Sequence, residues 1–238
     1  MRCVLITGGS RGIGAAMVRL FSENGYSVAF TYNKSEELAK ALADETGAVA
    51  IKADSSVEGD IVSAVKKASE SIGNIQILIN NAAVSSFSLF TDTTLEEWNH
   101  MFSVNVTGAF LYSRECLRNM IRQKEGRIIN ISSMWGVVGS SCEVHYSATK
   151  SAIIGMTKAL AKEVGPSGIN VNCIAPGVVD TDMNKNISAE DMRLLQEEIP
   201  LARIGTPEDV ARCALYLAGD GGSYITGAVL NVNGGLVV

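Results

Sequence analysis

Arg2-Cys3-Val4-Leu5-Ile6-Thr7-Gly8-Gly9-Ser10-Arg11-Gly12-Ile13-Gly14 decides the fold. Its first half is a short apolar run, its second half is rich in glycine, and Ala15, Ala16, Val18, Leu20 and Phe21 follow at helical spacing. The stretch therefore reads as strand, tight turn, helix. The same alternation continues outward from it. Strands are expected at Tyr26 to Tyr32, Ala48 to Ala53, Ile75 to Asn80, Arg127 to Ser132, Ile169 to Ala175 and Val229 to Val232. Helices are expected at Ser35 to Thr46, Val57 to Ile72, about Leu95 to Gln123 and about Tyr146 to Val164, with Gly25, Gly47 and Gly73 as punctuation. Ile77-Leu78-Ile79 and Ile128-Ile129-Asn130-Ile131 are nearly continuous in apolar residues, which means strands covered on both faces. The expected fold is α/β: a doubly wound, seven-stranded parallel sheet of Rossmann type with helices on both faces. Such a sheet binds its ligand outside the carboxyl ends of the strands.

No linker or low-complexity tract interrupts the 238 residues, so residues 1–238 read as a single domain. With 47% hydrophobic and 19% charged residues, the chain has ample material for a buried core. A net charge of -5 argues against broad attraction to nucleic acid or to anionic membranes, and no apolar run approaches the length of a spanning helix. The five cysteines, Cys3, Cys116, Cys142, Cys173 and Cys213, are scattered and form no C-x-x-C pair. His100 and His145 are too few and too far apart for a metal site. No metal is expected, and a reducing cytoplasm fits.

The residues just after the strands carry the chemistry. Gly8, Ser10, Arg11, Gly12, Ile13 and Gly14 form a turn that a pyrophosphate can approach closely, opposite the amino end of the first helix. The spacing is not the common G-x-G-x-x-G. The second strand ends Tyr32-Asn33-Lys34-Ser35, with no carboxylate before Glu36. Glu36 and Glu37 belong to the first turn of a helix that Ser35 is expected to cap. Lys34 with Arg11 points to NADP, since a base accommodates the 2′-phosphate where an acid would bind the 2′-hydroxyl. An ordinary surface lysine is the competing reading. Asn33 and Ser55 are expected beside Lys34 and Asp54 at the adenosine end. Two readings of Asp54 stand together: an acceptor for the adenine amino group, or a cap for the next turn.

Tyr146 and Lys150 lie four residues apart, on one face of a helix. A cation beside a phenol, aided by the positive nicotinamide ring of an oxidised cofactor, favours phenolate and brings its pKa toward the working range, which suits proton transfer to a carbonyl oxygen. Ser133, or its neighbour Ser132, closes the fifth strand where a hydroxyl can hold the reacting oxygen. Asn105 is a polar amide among Met101, Phe102, Val104 and Phe110. It serves either as a bend in the helix or as the holder of a water that relays protons to Lys150.

Thr7-Gly8-x-x-x-Gly12-x-Gly14, Asn80-Asn81-Ala82, Asn105, Ser133, Tyr146-x-x-x-Lys150 and Pro176-Gly177 together resemble the short-chain dehydrogenase/reductase family across essentially the whole chain. The resemblance implies a catalytic set of Asn105, Ser133, Tyr146 and Lys150. It also implies cofactor contacts from Tyr146, from Lys150 to the nicotinamide ribose, from Asn81 and Ala82, and from Pro176, Gly177, Val179 and Thr181 at the nicotinamide end. Ala83 departs from the glycine usual after Asn-Asn-Ala. Ser141 to Lys150, Leu201 to Val210 and Val232-Asn233-Gly234-Gly235 are similar to the bacterial 3-oxoacyl-[acyl-carrier-protein] reductases. That likeness implies NADPH-dependent reduction of 3-oxoacyl thioesters in fatty acid synthesis, acyl carrier protein as partner, and a homo-oligomer, a tetramer, built through the helices containing Asn105 and Tyr146. The four-residue Tyr-Lys spacing disfavours the related enoyl reductases. Enzymes of sugars, steroids or acetoacetyl thioesters share most of the pattern, and an NAD-dependent dehydrogenase or a dinucleotide-sensing regulator without turnover are the alternatives. Met192, Leu194, Leu195 and Ile199, in the segment from about Met183, are expected to cover an acyl chain or to form a plain amphipathic helix. Arg122, Lys124 and Arg127 are candidates for the carrier's basic patch or are solvated residues at a helix end. His145 is expected to be a wall of the pocket.

Overall fold

The computed structural model describes residues 2–182 and 188–237. Its strands are β1 (Cys3–Ile6), β2 (Ser27–Tyr32), β3 (Val49–Lys52), β4 (Ile75–Asn80), β5 (Gly126–Ile131), β6 (Ile169–Pro176) and β7 (Val229–Val232). All pair in parallel, in the order β3-β2-β1-β4-β5-β6-β7. The expected sheet is present, with strand ends within about two residues of the sequence reading.

Side chains alternate between two cores, as strand geometry requires. Val4 and Ile6 of β1, with Ile77 and Ile79 of β4, pack against α1 (Gly12–Glu23), α2 (Glu36–Thr46) and α9 (Pro207–Ala218). Leu5 and Leu78 face the other way, onto α3 (Glu58–Ile72), α5 (Gly108–Gln123) and α7 (Val144–Val164). Both faces being covered explains the unbroken apolar runs. The remaining α-helices among the described residues are α4 (Leu95–Phe102), α6 (Met134–Val138) and α8 (Ala189–Glu198). Among the described residues, no helix is long and apolar enough to cross a membrane.

The structure departs from the sequence reading in two places. The helix expected over Leu95 to Gln123 is divided: α4 and α5 are joined by a π turn, Ser103–Thr107, with Asn105 at its middle. A π turn admits one extra residue into the ladder and re-aims the side chains beyond it. Ser35 sits at the head of α2, but its side chain makes no capping hydrogen bond; Glu36 instead pairs with Lys40 one turn on, at 2.8 Å. The segment expected to cover an acyl chain begins at Met183, which lies outside the described residues. Within α8, Met192 and Leu195 are half-buried and Leu194 is exposed, while Ile199 just beyond it is buried.

Helix α9, which packs along α1, starts at a fully formed capping box. Thr206 accepts from the Asp209 amide, and the Asp209 carboxylate accepts from the Thr206 amide and from Arg203 at 2.6 and 3.0 Å. Pro207 occupies the first turn, where its missing N–H costs nothing. Thr206→Ala is expected to lower the unfolding free energy by about 1 kcal/mol. A urea titration with an unchanged slope and a lower midpoint would show it.

Candidate active site

The glycine turn after β1 is held from both sides. The Thr31 hydroxyl and carbonyl of β2 accept from the Gly8 and Gly9 amides, at 3.2 and 2.8 Å. On the other side the Thr7 hydroxyl accepts from the amides of Asn81 and Ala82, both at 2.9 Å, and the Asn81 amide group donates to the carbonyls of Thr7 and Gly8, both at 3.0 Å. Asn81 thus spends both side-chain donors on stitching the end of β4 to the turn. A Cβ at Gly14 would stand 2.2 Å from the Gly8 carbonyl oxygen and 2.8 Å from Asn81 Nδ2. Only glycine lets α1 start that close. The amino end of α1 carries no side-chain cap and no acid in its first turn, so its free N–H groups and positive dipole end remain available to an anion. Arg11, preceding it, is exposed and lies 3.8 Å from Asp182. The loop after β6 comes over this turn: Thr181 Cγ2 lies 3.3 Å from where a Gly12 Cβ would be. Pro176 ends β6, and Val179, buried, bridges to Gly205.

At the other end of the crevice, Asn33 donates to Asp54 at 3.0 Å, and the second Asp54 oxygen accepts from the Ser56 amide and hydroxyl at 2.8 and 2.6 Å. Those Ser56 bonds hold the Asp54 carboxyl below the usual carboxylate range. Of the two readings of Asp54, the turn cap is the one the chain itself satisfies. Lys34 is exposed and forms no ion pair among the described residues, and no carboxylate stands at the end of β2. Ser55 is buried, with its backbone against Gly108 at the head of α5. The uncapped α1, the two exposed cations and the glycine turn fit a phosphorylated dinucleotide.

The other sequence candidates meet at the carboxyl end of β5. Tyr146 and Lys150 are both buried, 7% and 3% exposed, in the first two turns of α7. The Lys150 ammonium donates to the Ile131 carbonyl at 2.9 Å and lies 5.5 Å from the centre of the Tyr146 ring. Ser133 heads α6, its hydroxyl accepting from the Trp135 amide, and it stands close enough to the Tyr146 phenol to favour the ionised form. Ser132 points elsewhere, donating to the Lys150 carbonyl at 2.8 Å. Asn105 accepts from the Val84 amide at 2.8 Å and donates to the Val84 carbonyl at 2.9 Å and to Thr149 at 3.1 Å. Thr149 in turn donates to the Tyr146 carbonyl at 2.8 Å. Both Asn105 donors are therefore committed to clamping the post-β4 loop against α7, which leaves a water little besides one lone pair.

Burial dominates the electrostatics. It pushes the Tyr146 phenol up, with the Glu143 carboxylate adding to the rise and Ser133 opposing it. It pushes the Lys150 ammonium down to about 8, against a smaller upward pull from Cys173. Without the positive nicotinamide ring on which the expected lowering also draws, desolvation of the phenolate outweighs a cation directed at a carbonyl. Arg122, Lys124 and Arg127 lie at the other end of β5 from Ser133, roughly 20 Å away along the strand. His145 is buried beside the loop after β4, 2.7 Å from the Ser86 hydroxyl. That pairing, the π turn and the Ser132 contact were not legible in the sequence. Asn105 amid apolar neighbours was the one signal of the π turn.

A parallel doubly wound sheet with an open helix terminus and a buried Tyr-Lys pair at its carboxyl edge defines a dinucleotide-dependent oxidoreductase. The chain belongs to the short-chain dehydrogenase/reductase family. It superposes on the short-chain dehydrogenase/reductase from Serratia marcescens BCRC 10948 with a TM-score of 0.93 at 37% identity, over 100% of this chain and 98% of that one. It superposes equally, at 0.93 and 36% identity with the same coverage, on a blue fluorescent protein from a metagenomic library in complex with NADPH. Residues 8–237 match the family described as enoyl-(acyl carrier protein) reductase. The chain is 44% identical to 3-oxoacyl-[acyl-carrier-protein] reductase FabG of Aquifex aeolicus (98% of this chain, 96% of the relative). It is 40% identical to acetoacetyl-CoA reductase of Rhizobium meliloti (98% of each).

Because Glu143 raises the Tyr146 pKa by its charge, Glu143→Gln is expected to lower it. NMR titration of isotope-labelled tyrosine, assigned against Tyr146→Phe, measures this directly. An unmoved midpoint would mean that solvent screens the carboxylate from the phenol.

Proposed function

We propose that the chain reduces the 3-oxo group of acyl thioesters carried on acyl carrier protein, using NADPH, in the fatty acid synthesis of the cytoplasm. The observation that carries this reading is the buried Tyr146–Lys150 pair with Ser133 at the carboxyl end of β5. The 44% identity to the Aquifex aeolicus 3-oxoacyl-[acyl-carrier-protein] reductase supports the substrate class. The four-residue spacing from Tyr146 to Lys150 argues for a carbonyl substrate over an enoyl one.

When bound, NADPH supplies the hydride. Gly8, Ser10, Arg11, Gly12, Ile13 and Gly14 would hold its diphosphate, and Asn33, Lys34, Asp54 and Ser55 its adenosine half. Asn81, Ala82, Tyr146, Lys150, Pro176, Gly177, Val179 and Thr181 would line the nicotinamide half. Lys34 and Arg11, with no carboxylate at the end of β2, suit the 2′-phosphate. The NADPH complex of the metagenomic structural neighbour supports the same choice. In the reaction, the Tyr146 hydroxyl gives its proton to the carbonyl oxygen. Ser133 donates a hydrogen bond to that oxygen, which strengthens as negative charge gathers there. Lys150 stabilises the phenolate left behind. Asn105 is a positioning residue, holding Val84 and Thr149 in register.

Reduction of acetoacetyl-CoA is the second reading. It is favoured by the 40% identical Rhizobium meliloti enzyme and by the distance of Arg122, Lys124 and Arg127 from Ser133 within one chain. We also infer a homotetramer through α4, α5 and α7: Leu95, Phe110 and Ile121 are exposed along the first two.

Absorbance assays with one 3-oxoacyl group on carrier protein and on coenzyme A, each with NADPH and NADH, test the reading. Higher kcat/KM with NADPH and the carrier thioester is expected; preference for the CoA thioester supports the second reading, and no turnover with either leaves the dinucleotide sensor. In the same assay Tyr146→Phe is expected to bind NADPH as wild type does and to lose turnover by about 10²-fold or more. Near-full turnover with chemistry rate-limiting would refute the proton-donor role. Sedimentation at micromolar concentration should return a tetramer mass, and a monomer would sink the assembly proposed.

A further inference from the structure

Lys150 and the end of β5 hold each other twice. The ammonium at the tip of the side chain donates to the carbonyl of Ile131 at 2.9 Å, and the hydroxyl of the next residue, Ser132, donates to the carbonyl of Lys150 itself at 2.8 Å. The second bond is local to the clasp: a carbonyl inside a helix has one lone pair beyond its ladder bond, and Ser132 fills it. Ser132 is in turn fixed to β6, its amide donating to the Ile174 carbonyl at 2.8 Å. Short helix α6 closes the arrangement. A Cβ at Gly136 would stand 2.6 Å from the Ser132 oxygen, 2.7 Å from the Lys150 carbonyl carbon and 2.9 Å from Lys150 Cβ. Ser132 is 3% exposed, so no water replaces its hydroxyl without displacing that helix.

We propose that Ser132 is a positioning residue for the reaction, fixing where the stem of Lys150 is rooted and so where its ammonium lies relative to the Tyr146 phenol. The proposal rests on Tyr146 being the proton donor. The lysine side chain has four rotatable carbons and loses much conformational freedom to be held at one point. With its tip tied to residue 131 and its backbone tied to residue 132, the two ends of the stem are referred to adjacent residues, the last of β5 and the one after it. Loss of the Ser132 hydroxyl frees the root and leaves a buried carbonyl without its second donor. The ammonium then spends less time near the phenol, phenolate is less favoured, and the phenol titrates at higher pH.

The test reads the reaction in the alcohol-oxidising direction, where Tyr146 must be deprotonated, as a pH profile of turnover at saturating cofactor. Ser132→Ala is expected to lower turnover between about tenfold and about 10²-fold, the range for a displaced catalytic group, and to move the ascending midpoint to higher pH. Ser132→Cys, which keeps a weaker donor, should fall between wild type and alanine, and serves as the measurement if the alanine variant does not fold. Ser151→Ala is the packing control: its hydroxyl ties α7 to α6 by donating to the Gly136 carbonyl at 2.7 Å, without touching Lys150. It should lower Tm and leave the midpoint in place. If Ser132→Ala and Ser132→Cys keep the wild-type midpoint while Tyr146→Phe is inactive, Ser132 is packing alone and the inference is overturned. If Tyr146→Phe is itself active, the reading of Tyr146 fails first and takes this inference with it.

Discussion

Strand β4 lies against β1, not against β3 which precedes it in the chain, and every part of the site depends on that crossing. The order runs outward from β1 in two directions, so the helices leaving β1 and β4 go to opposite faces and their loops part at the carboxyl edge. The gap between them is the crevice. Thr7, the last residue before the glycine turn, bridges the gap with one hydroxyl that accepts two amides of the β4 loop. Asn81 returns two bonds from the other side. The crevice is therefore held at a fixed width by hydrogen bonds made within the chain itself. This explains how α1 can present an uncapped amino end at the surface of a tightly packed sheet.

The proposed reaction centre uses burial that the fold must tolerate. Lys150 and Tyr146 would each be easier to keep in water, and their pKa values move in the directions that desolvation dictates, the phenol up and the ammonium down to about 8. The consequence for stability follows from the lysine shift. Between about 8 and the ordinary lysine value the unfolded chain binds more protons than the folded one, so this group makes the fold relatively more stable as pH rises through that window. Below it, the folded chain carries the cost of a buried cation, moderated by the Ile131 carbonyl. Asn105, Thr149 and Ser132 spend their hydrogen bonds on one another and on backbone around the pair, so these bonds need no ligand to form.

The sequence exposed the parts of this arrangement that rest on side-chain periodicity. Ile77-Leu78-Ile79 announces a strand buried on both faces, and Tyr146 with Lys150 announces a shared helical face, because both are statements about which way successive side chains point. It concealed the parts that rest on backbone groups, since every residue carries the same amide and carbonyl. Nothing in Ile131 marks its carbonyl as the partner of an ammonium, and nothing in Val84 marks it as the object of the Asn105 clamp. The π turn was hidden for a related reason. One added residue in the ladder leaves an apolar pattern that still reads as helix, and only the stranded amide of Asn105 betrays it. Ser35 misled in the opposite sense: its type and position suit a cap, yet the head of α2 is steadied by Glu36 and Lys40.

The two adjacent serines at the end of β5 were indistinguishable in type, and strand geometry separates them. Ser133 keeps an extended backbone, φ -163° and ψ 157°, so the two-residue alternation of the strand continues through it before α6 begins. Neighbouring side chains on an extended backbone point to opposite faces. Ser132 is thereby turned inward to the backbone of α7, where its hydroxyl meets the Lys150 carbonyl, and Ser133 is turned to the other side, where its hydroxyl favours the ionised form of the Tyr146 phenol. The short helix follows immediately because Ser133 caps it through the Trp135 amide, and its Gly136 can then lie flat on the Lys150 backbone. One extended residue more or fewer between Ile131 and α6 would exchange the two hydroxyls, directing the second serine at the lysine backbone and away from the phenol.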